Sequence, residues 1–405
     1  MSLDKSLNTA SAIKKKNTAF FIDTYSEKSS HEMFNSSLML MCAIVFDQVD
    51  CRMGRSAYEN YLKIIKTQSP ENIDYKSTFV VAGNSRISLV LRYLISAFQN
   101  IKYLLLSPKD AILIFPFNNL FSLSFINFFN KIYKRKILIF CHSEMEGIGT
   151  DEKKGGYFHR QLTALCRNFF LNPKTKISET LYFSVLGEVL KSNIARNIGF
   201  NKASKFISID HAYFFEPVQP TRKLDGKLSL ATVGSISKTK GLMEFFEFAK
   251  HLSSFSKKIK LSIIGTTHED LKLFNGTNIE LMSEDNTFLD REEFKNKIQE
   301  LDYVLFFYHK ENYRITASGA VMDAISYEKP ILALKNDYFE YLFDKYGQFG
   351  HLFNNVDEMA TLVKHLSVNN LVKPVDFKSI KMKLTPEVIS QQMYAELRRV
   401  NFLTI

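Results

Sequence analysis

The chain has 405 residues, 45% hydrophobic and 23% charged, which excludes wholesale disorder and leaves enough apolar surface for more than one core. Its formal net charge of +11 falls entirely within residues 1–210, so an anionic partner is expected on the first half, a membrane surface or a nucleic acid. Four cysteines (Cys42, Cys51, Cys141, Cys166) with no C-x-x-C pair exclude a disulfide scaffold and a zinc ribbon, and favour a reducing compartment.

The opening stretch MSLDKSLNTASAIKKKN has no apolar core of a secretory leader. The longest apolar run, Leu120–Phe129, is broken by Asn127 and falls short of the ~20 residues that span a bilayer. A cytoplasmic protein is expected, soluble or peripheral on the inner face of a membrane. Short β-rich runs then alternate with amphipathic segments. Strands are expected at Thr18–Ile22, Ser77–Ala82, Ala111–Phe115, Ile137–Cys141 and Lys205–Ile209. The helices between them are Met53–Lys66, Arg86–Phe98, Leu120–Tyr133, Tyr157–Phe170 and Val185–Asn197. A second series has strands at Leu228–Val233, Lys260–Ile264, Ile279–Met282, Tyr303–Phe307 and Ile331–Leu334. Its helices are Leu242–Leu252, Glu269–Phe274, Arg291–Glu300, Gly319–Tyr327 and Val356–Leu366. Such alternation implies an α/β protein with parallel sheets, and the number of strands implies two Rossmann-like sheets. The polar stretch Phe215–Lys227, with Pro217, Pro220 and Gly226, reads as the linker between domains at 1–217 and 226–384. A last helix, Glu387–Val400, has Thr385 as N-cap and Pro386 in its first turn, and residues 387–405 are expected to return to the first domain.

Two loops carry chemistry. Tyr303–Phe307 runs into a polar loop that ends at Ser318-Gly319, where a helix opens. Ser318 suits an N-cap, and Gly319 lets a ligand approach the backbone. The free amides of residues 318–320, at the positive end of the helix dipole, form a ready phosphate site with Ala320 as its third member. Asp323 lies one turn further on, placed to accept hydrogen bonds from ribose hydroxyls. The second loop, Gly234-Ser235-Ile236-Ser237-Lys238-Thr239-Lys240-Gly241, follows a strand and opens a helix. Gly234 and Ser235 allow the chain to turn under a diphosphate, and Lys238 and Lys240 supply countercharge. It is neither a P-loop nor G-x-G-x-x-G.

These residues resemble the donor domain of GT-B glycosyltransferases, close to the family-4 type. Gly234, Ile236, Lys240 and Gly241 match that family's G-[RK]-L…K-G, with Ser235 where Arg is usual. Asp323 to Pro330 matches the end of its E-x7-E…G-x-P pattern; the first Glu falls on Ile315 and Glu328 replaces the Gly. The resemblance implies two Rossmann-like domains facing a cleft. It implies transfer of a sugar from a nucleotide-diphosphate sugar to a glycan or lipid-linked saccharide in surface polysaccharide synthesis, with no cofactor and no metal. His142 and Glu144, at the end of Ile137–Cys141, would face the donor sugar and share catalysis with Lys240. His31 and Glu32, in the loop after the first strand, would meet the acceptor. His211 sits where the family has the strand end before its linker. Two other readings share the donor site: a nucleotide-sugar 2-epimerase of GT-B fold, and a non-catalytic two-lobed nucleotide- or sugar-binding protein. Nucleic acid is not an expected partner, because no recognition motif accompanies the positive charge; an anionic membrane is.

Overall fold

Four-residue runs such as Ile112–Phe115 and Ile137–Phe140, both Ile-Leu-Ile-Phe, are buried at every position, as parallel strands covered on both faces must be. The computed structural model describes residues 17–28, 31–65, 69–83, 85–149, 156–218, 226–267, 269–283, 289–308, 314–369 and 374–403. The expected basic run Lys14–Lys16, Lys153-Lys154, most of the linker and the middle of the loop before Ser318 lie outside those residues. The first sheet holds β1 (Thr18–Asp23), β2 (Gln48–Gly54), β3 (Ile73–Thr78), β4 (Ile112–Phe115), β5 (Ile137–Phe140), β6 (Leu181–Val185) and β7 (Phe206–Ser208). The second holds β8 (Leu228–Val233), β9 (Ile259–Ile264), β10 (Ile279–Leu281), β11 (Tyr303–Phe306), β12 (Ile331–Leu334) and β13 (Gly350–Phe353). Their orders are β3-β2-β1-β4-β5-β6-β7 and β10-β9-β8-β11-β12-β13, parallel throughout. Each sheet reverses its winding once, between β1 and β4 and between β8 and β11. Crevices at the carboxyl ends of strands open at those reversals.

Several expectations change, among them the helix expected at Glu269–Phe274, which is only a short 3-10 turn at Leu271–Phe274. The strand expected at Ser77–Ala82 lies earlier, at Ile73–Thr78, where Val49 to Gly54 of β2 pair with Ile73 to Thr78 in register. Phe79 and its neighbours are apolar but find no strand beyond the sheet edge, and Phe79 stays 65% exposed. The helix expected from Val185 begins only at Glu188, because Leu181–Val185 is needed as β6 between β5 and β7. Gly187, at φ +149°, makes the break between them. The helix Glu32–Val45 and strand β2 were not anticipated; Leu38 to Val45 is apolar almost without interruption and shows no period.

Alternate residues of each central strand feed two cores. Phe20 and Ile22 point to one side of the first sheet, Ala19 and Phe21 to the other. On that second side lies the last helix, Pro386–Arg399, with Thr385 as N-cap and Pro386 at its first position. Ile389, Met393 and Leu397 recur every four residues and pack with Leu38, Met39 and Cys42 of Glu32–Val45. The chain thus crosses back to its first domain, as expected.

The two halves are joined by a polar hub. Asp210, just past β7 and 3% exposed, accepts from Tyr341 Oη at 2.6 Å and from Gln392 Nε2 at 3.2 Å. Lys345 Nζ and Tyr346 Oη also donate to it. One carboxylate therefore binds the first domain to the helix Asp337–Tyr346 of the second and to the returning helix.

Candidate active-site cleft

The cleft between the domains has a volume of about 1150 Å³, ample for a nucleotide sugar with part of an acceptor. Its second-domain wall is built by glycines. β8 is followed by Gly234, at φ +80°, and a Cβ on Gly265 would lie 2.1 Å from the Gly234 carbonyl oxygen. After the turn Lys238–Lys240, Gly241 takes φ +83°, and a Cβ there would lie 2.1 Å from the Phe307 carbonyl oxygen. No other residue fits. That constraint places Lys240 on the cleft wall, half-buried, and among the described residues its ammonium has no hydrogen-bond or ion-pair partner. Burial lowers its pKa. Lys238 is not brought to the cleft: it is exposed and pairs with Glu269 at 3.6 Å. Gly234 and Ser235 shape the turn, and Ser235 lines a small cavity together with Lys240 and Phe307.

The helix Gly319–Ser326 opens at the same cleft. Ser318 is its N-cap but makes no side-chain capping bond; its hydroxyl lies 3.3 Å from Tyr308 Oη. The first amides of the helix, those of Gly319 and Ala320 among them, are therefore left without a side-chain cap. A Cβ on Gly319 would meet no atom within 4 Å. The glycine is not needed for packing, and its open side faces the cleft that Lys240 also lines. Gly319→Val should consequently leave the melting midpoint within about 1 °C, since it loses only helix propensity differences. It should abolish nucleotide-diphosphate binding by titration calorimetry. Unchanged affinity would remove these amides from the site.

Asp323 lies one turn on. Its Oδ1 accepts from Tyr213 Oη of the first domain, and burial raises its pKa to about 6. Arg291, at the start of the helix Arg291–Gln299, opposes that shift and pairs with Glu32 across the cleft at 3.1 Å. Glu32 is therefore a link between the domains. Burial raises its pKa, and Arg291 pulls it back.

The first-domain wall rests on Asp23, 1% exposed, at the end of β1. Asp23 accepts from the Ser26 amide at 2.9 Å and from Asn35 Nδ2 at 2.7 Å, which ties the loop after β1 to the helix Glu32–Val45. His31, at φ +55°, stands at the loop's end with its ring centroid 5.0 Å from that of His142. The rings of His142 and His211 stand edge-on to Phe34, at 4.6 and 5.5 Å. His142 Nε2 lies 2.8 Å from the Pro116 carbonyl oxygen. A carbonyl only accepts, so Nε2 carries the proton and Nδ1 keeps its lone pair. Burial drops the His142 pKa to about 3 and that of His211 to about 4, so both are neutral at pH 7. Glu144 does not line the cleft. Its carboxylate accepts from the His142 amide at 3.0 Å, and burial raises its pKa to about 7.

Arg291, Tyr213 and Glu146 escaped notice as site residues. Glu146 Oε1 accepts from the Ile315 amide and from Thr316 Oγ1, both at 2.8 Å, and so fixes the approach to Ser318 from the other domain. No local signal marks such cross-domain contacts. A readable one marked Ser56, Glu59, Asn60 and Lys63. Their spacing places them on one face of the helix Arg55–Ile65, and all four line the cleft.

The sequence matches no known family profile and no curated protein. Solved structures do match in fold. Alr3699/HepE of Anabaena, solved in complex with UDP-glucose, is 10% identical with a TM-score of 0.58, covering 95% of this chain and 100% of that one. The lipopolysaccharide outer core galactosyltransferase WaaB is 13% identical with a TM-score of 0.55, over 95% and 99% of the two chains. TarM of S. aureus, solved with fondaparinux, α-GlcNAc-glycerol and UDP, is 15% identical with a TM-score of 0.53, over 76% and 59%. The fold is GT-B: two Rossmann-like domains across a cleft.

Proposed function

We propose that the chain is a glycosyltransferase moving a hexose from a nucleotide-diphosphate sugar to a glycan or lipid-linked saccharide. The observation that carries this reading is the meeting, in one cleft, of a helix N-terminus at Gly319 that lacks a side-chain capping bond with the ammonium of Lys240, which has no partner among the described residues. Breaking the bond between the anomeric carbon and the phosphate oxygen sends its electron pair to the diphosphate. Preorganised amides and an ammonium stabilise that charge as it grows, so the step is expected to proceed in EDTA. UDP-glucose in Alr3699/HepE and UDP in TarM, both of like fold, agree with a nucleotide donor. Asp323 keeps Oδ2 for a ribose hydroxyl. Lys238, paired at the surface, contributes little to the phosphates.

The acceptor side is the face of Ser56, Glu59, Asn60 and Lys63 together with His31. It mixes donors and acceptors, which suits sugar hydroxyls. His142, with a pKa of about 3, accepts a hydrogen bond from a hydroxyl at Nδ1 and does not take its proton. That proton leaves with the diphosphate. Glu144 holds His142 through its amide and acts as a positioning residue.

Nucleoside diphosphates and nucleotide sugars are expected to raise the melting midpoint. A ligand at 100 times its Kd adds about 2.7 kcal/mol to apparent stability. Proton NMR of the nucleotide sugar incubated without acceptor separates transfer from epimerisation, because the two epimers share one mass but differ in their ring coupling constants. An epimerised sugar nucleotide would replace the transferase reading, and no midpoint shift with any nucleotide would end it.

A further inference from the structure

The helix Arg86–Leu106 reverses the usual arrangement of polar and apolar faces. Its buried residues are Arg92, Ser96, Ala97, Asn100 and Leu104, three of them polar. Thr24 Oγ1 lies 2.8 Å from Ser96 Oγ and donates to Asn100 Oδ1 at 2.7 Å. Arg92 donates to the carbonyl oxygens of Val81 at 2.7 Å and Gly83 at 2.6 Å. The outward stripe is apolar: Ile87, Leu91, Leu94, Phe98 and Leu105, with Ile87 73% and Phe98 71% exposed. The helix Leu120–Tyr133 packs beside it and turns Phe125, Phe128 and Ile132 outward, 56%, 60% and 64% exposed. An apolar face spread over two neighbouring helices marks an interaction site.

The charge around it selects the partner. Lys102 interrupts the stripe, and Lys109, Lys131 and Lys134 are exposed around it. Between Ser85 and Lys136 the only acidic residue is Asp110. A helix as long and apolar as Arg86–Leu106 has the composition of a membrane span. Its polar stripe, however, is bonded to the loops that follow β1 and β3, so it is held along the domain surface.

We propose that these two helices seat the first domain on an anionic phospholipid bilayer, lying in the interface with the apolar stripes among the acyl chains and the lysines at the headgroups. The helix Arg86–Leu106 starts at the cleft end of its domain, because it follows the carboxyl end of β3. Its Tyr93 ring lies 4.9 Å from Tyr25 and 5.7 Å from Phe117, and Phe117 lies 6.4 Å from His31. The acceptor side of the cleft thus adjoins the proposed bilayer, and a headgroup-borne saccharide would enter it there. That last step rests on the transferase reading; the docking does not.

Co-sedimentation of the full chain with phosphatidylcholine vesicles, with and without phosphatidylglycerol, tests this. Sedimentation is expected only with the anionic lipid, falling as salt rises. Leu94→Glu with Phe98→Glu should weaken it by about 100-fold or more. Lys131→Glu with Lys134→Glu should weaken it by about tenfold or more. The lysine pair leaves the apolar packing untouched and carries the test should the first pair fail to fold. Anionic vesicles that leave the chain in the supernatant overturn the proposal, as do glutamate variants that sediment like the parent. It also falls if light scattering finds a dimer that the same variants split, since a second copy would then cover the face. Nucleotide-induced melting shifts on these variants should match the parent, so failure of docking and failure of the donor site are read separately.

Discussion

Lys240→Ala is expected to lower release of nucleoside diphosphate from a sugar donor by about 10²–10³-fold, the usual loss when one preorganised charge stabiliser is removed. Lys240 is set on the cleft wall by Gly241, whose positive φ no side chain tolerates against Phe307. Its ammonium has no protein partner among the described residues, so the substitution orphans no buried carboxylate. Stability should therefore change by no more than about 0.5 kcal/mol. Lys238→Ala, two residues away, should cost less than about threefold in turnover. That side chain is spent on Glu269 at the surface, in a pair worth about 0–1 kcal/mol. Lys240→Arg should recover part of the rate, because the charge returns with a different shape. Parallel losses at 238 and 240, or none at 240, would show that the leaving group is stabilised elsewhere.

Asp210→Ala should destabilise the fold by about 3–5 kcal/mol, the range for removing one side of a buried charged network. The carboxylate is 3% exposed and serves donors from two separate helices, Asp337–Tyr346 and Pro386–Arg399. Its loss leaves the hydroxyls of Tyr341 and Tyr346 and the amide of Gln392 without their acceptor. Lys345 is 39% exposed and regains water, which limits its share. Tyr341→Phe removes one donor of the set and should cost only about 1–2 kcal/mol. The urea midpoint with the slope held constant reads both. A midpoint for Asp210→Ala within about 1 kcal/mol of the parent would mean the domains are held by their other contacts and not by this carboxylate.

The fold was legible where local pattern and burial agree. Alternating strand and helix between Leu228 and Leu366 announced a second parallel sheet, and Thr385-Pro386 announced the returning helix. The pattern failed where tertiary pairing overrides it. Leu181–Val185 becomes a strand because β5 and β7 need a neighbour, and Phe79-Val80-Val81 does not because the sheet ends at β3. The donor half of the cleft was readable since glycines and a helix start are local signals. Lys238 and Lys240 looked alike in sequence; only Glu269, 29 residues beyond Lys240, tells them apart. The bridges Glu32–Arg291, Tyr213–Asp323 and Glu146–Thr316 span more than a hundred residues each, and no local period encodes them.

The returning helix bears on how the molecule is made. One side of the first sheet is finished only by Ile389, Met393, Leu397 and Phe402. During synthesis Phe34, Leu38 and Met41 must wait, wet, through the assembly of an entire second lobe. A nascent chain in this state exposes greasy surface for tens of seconds at ordinary elongation rates of about 5–20 residues per second. The first lobe, although translated first, is thus among the last parts to become native, and its interim surface is a natural client for a chaperone.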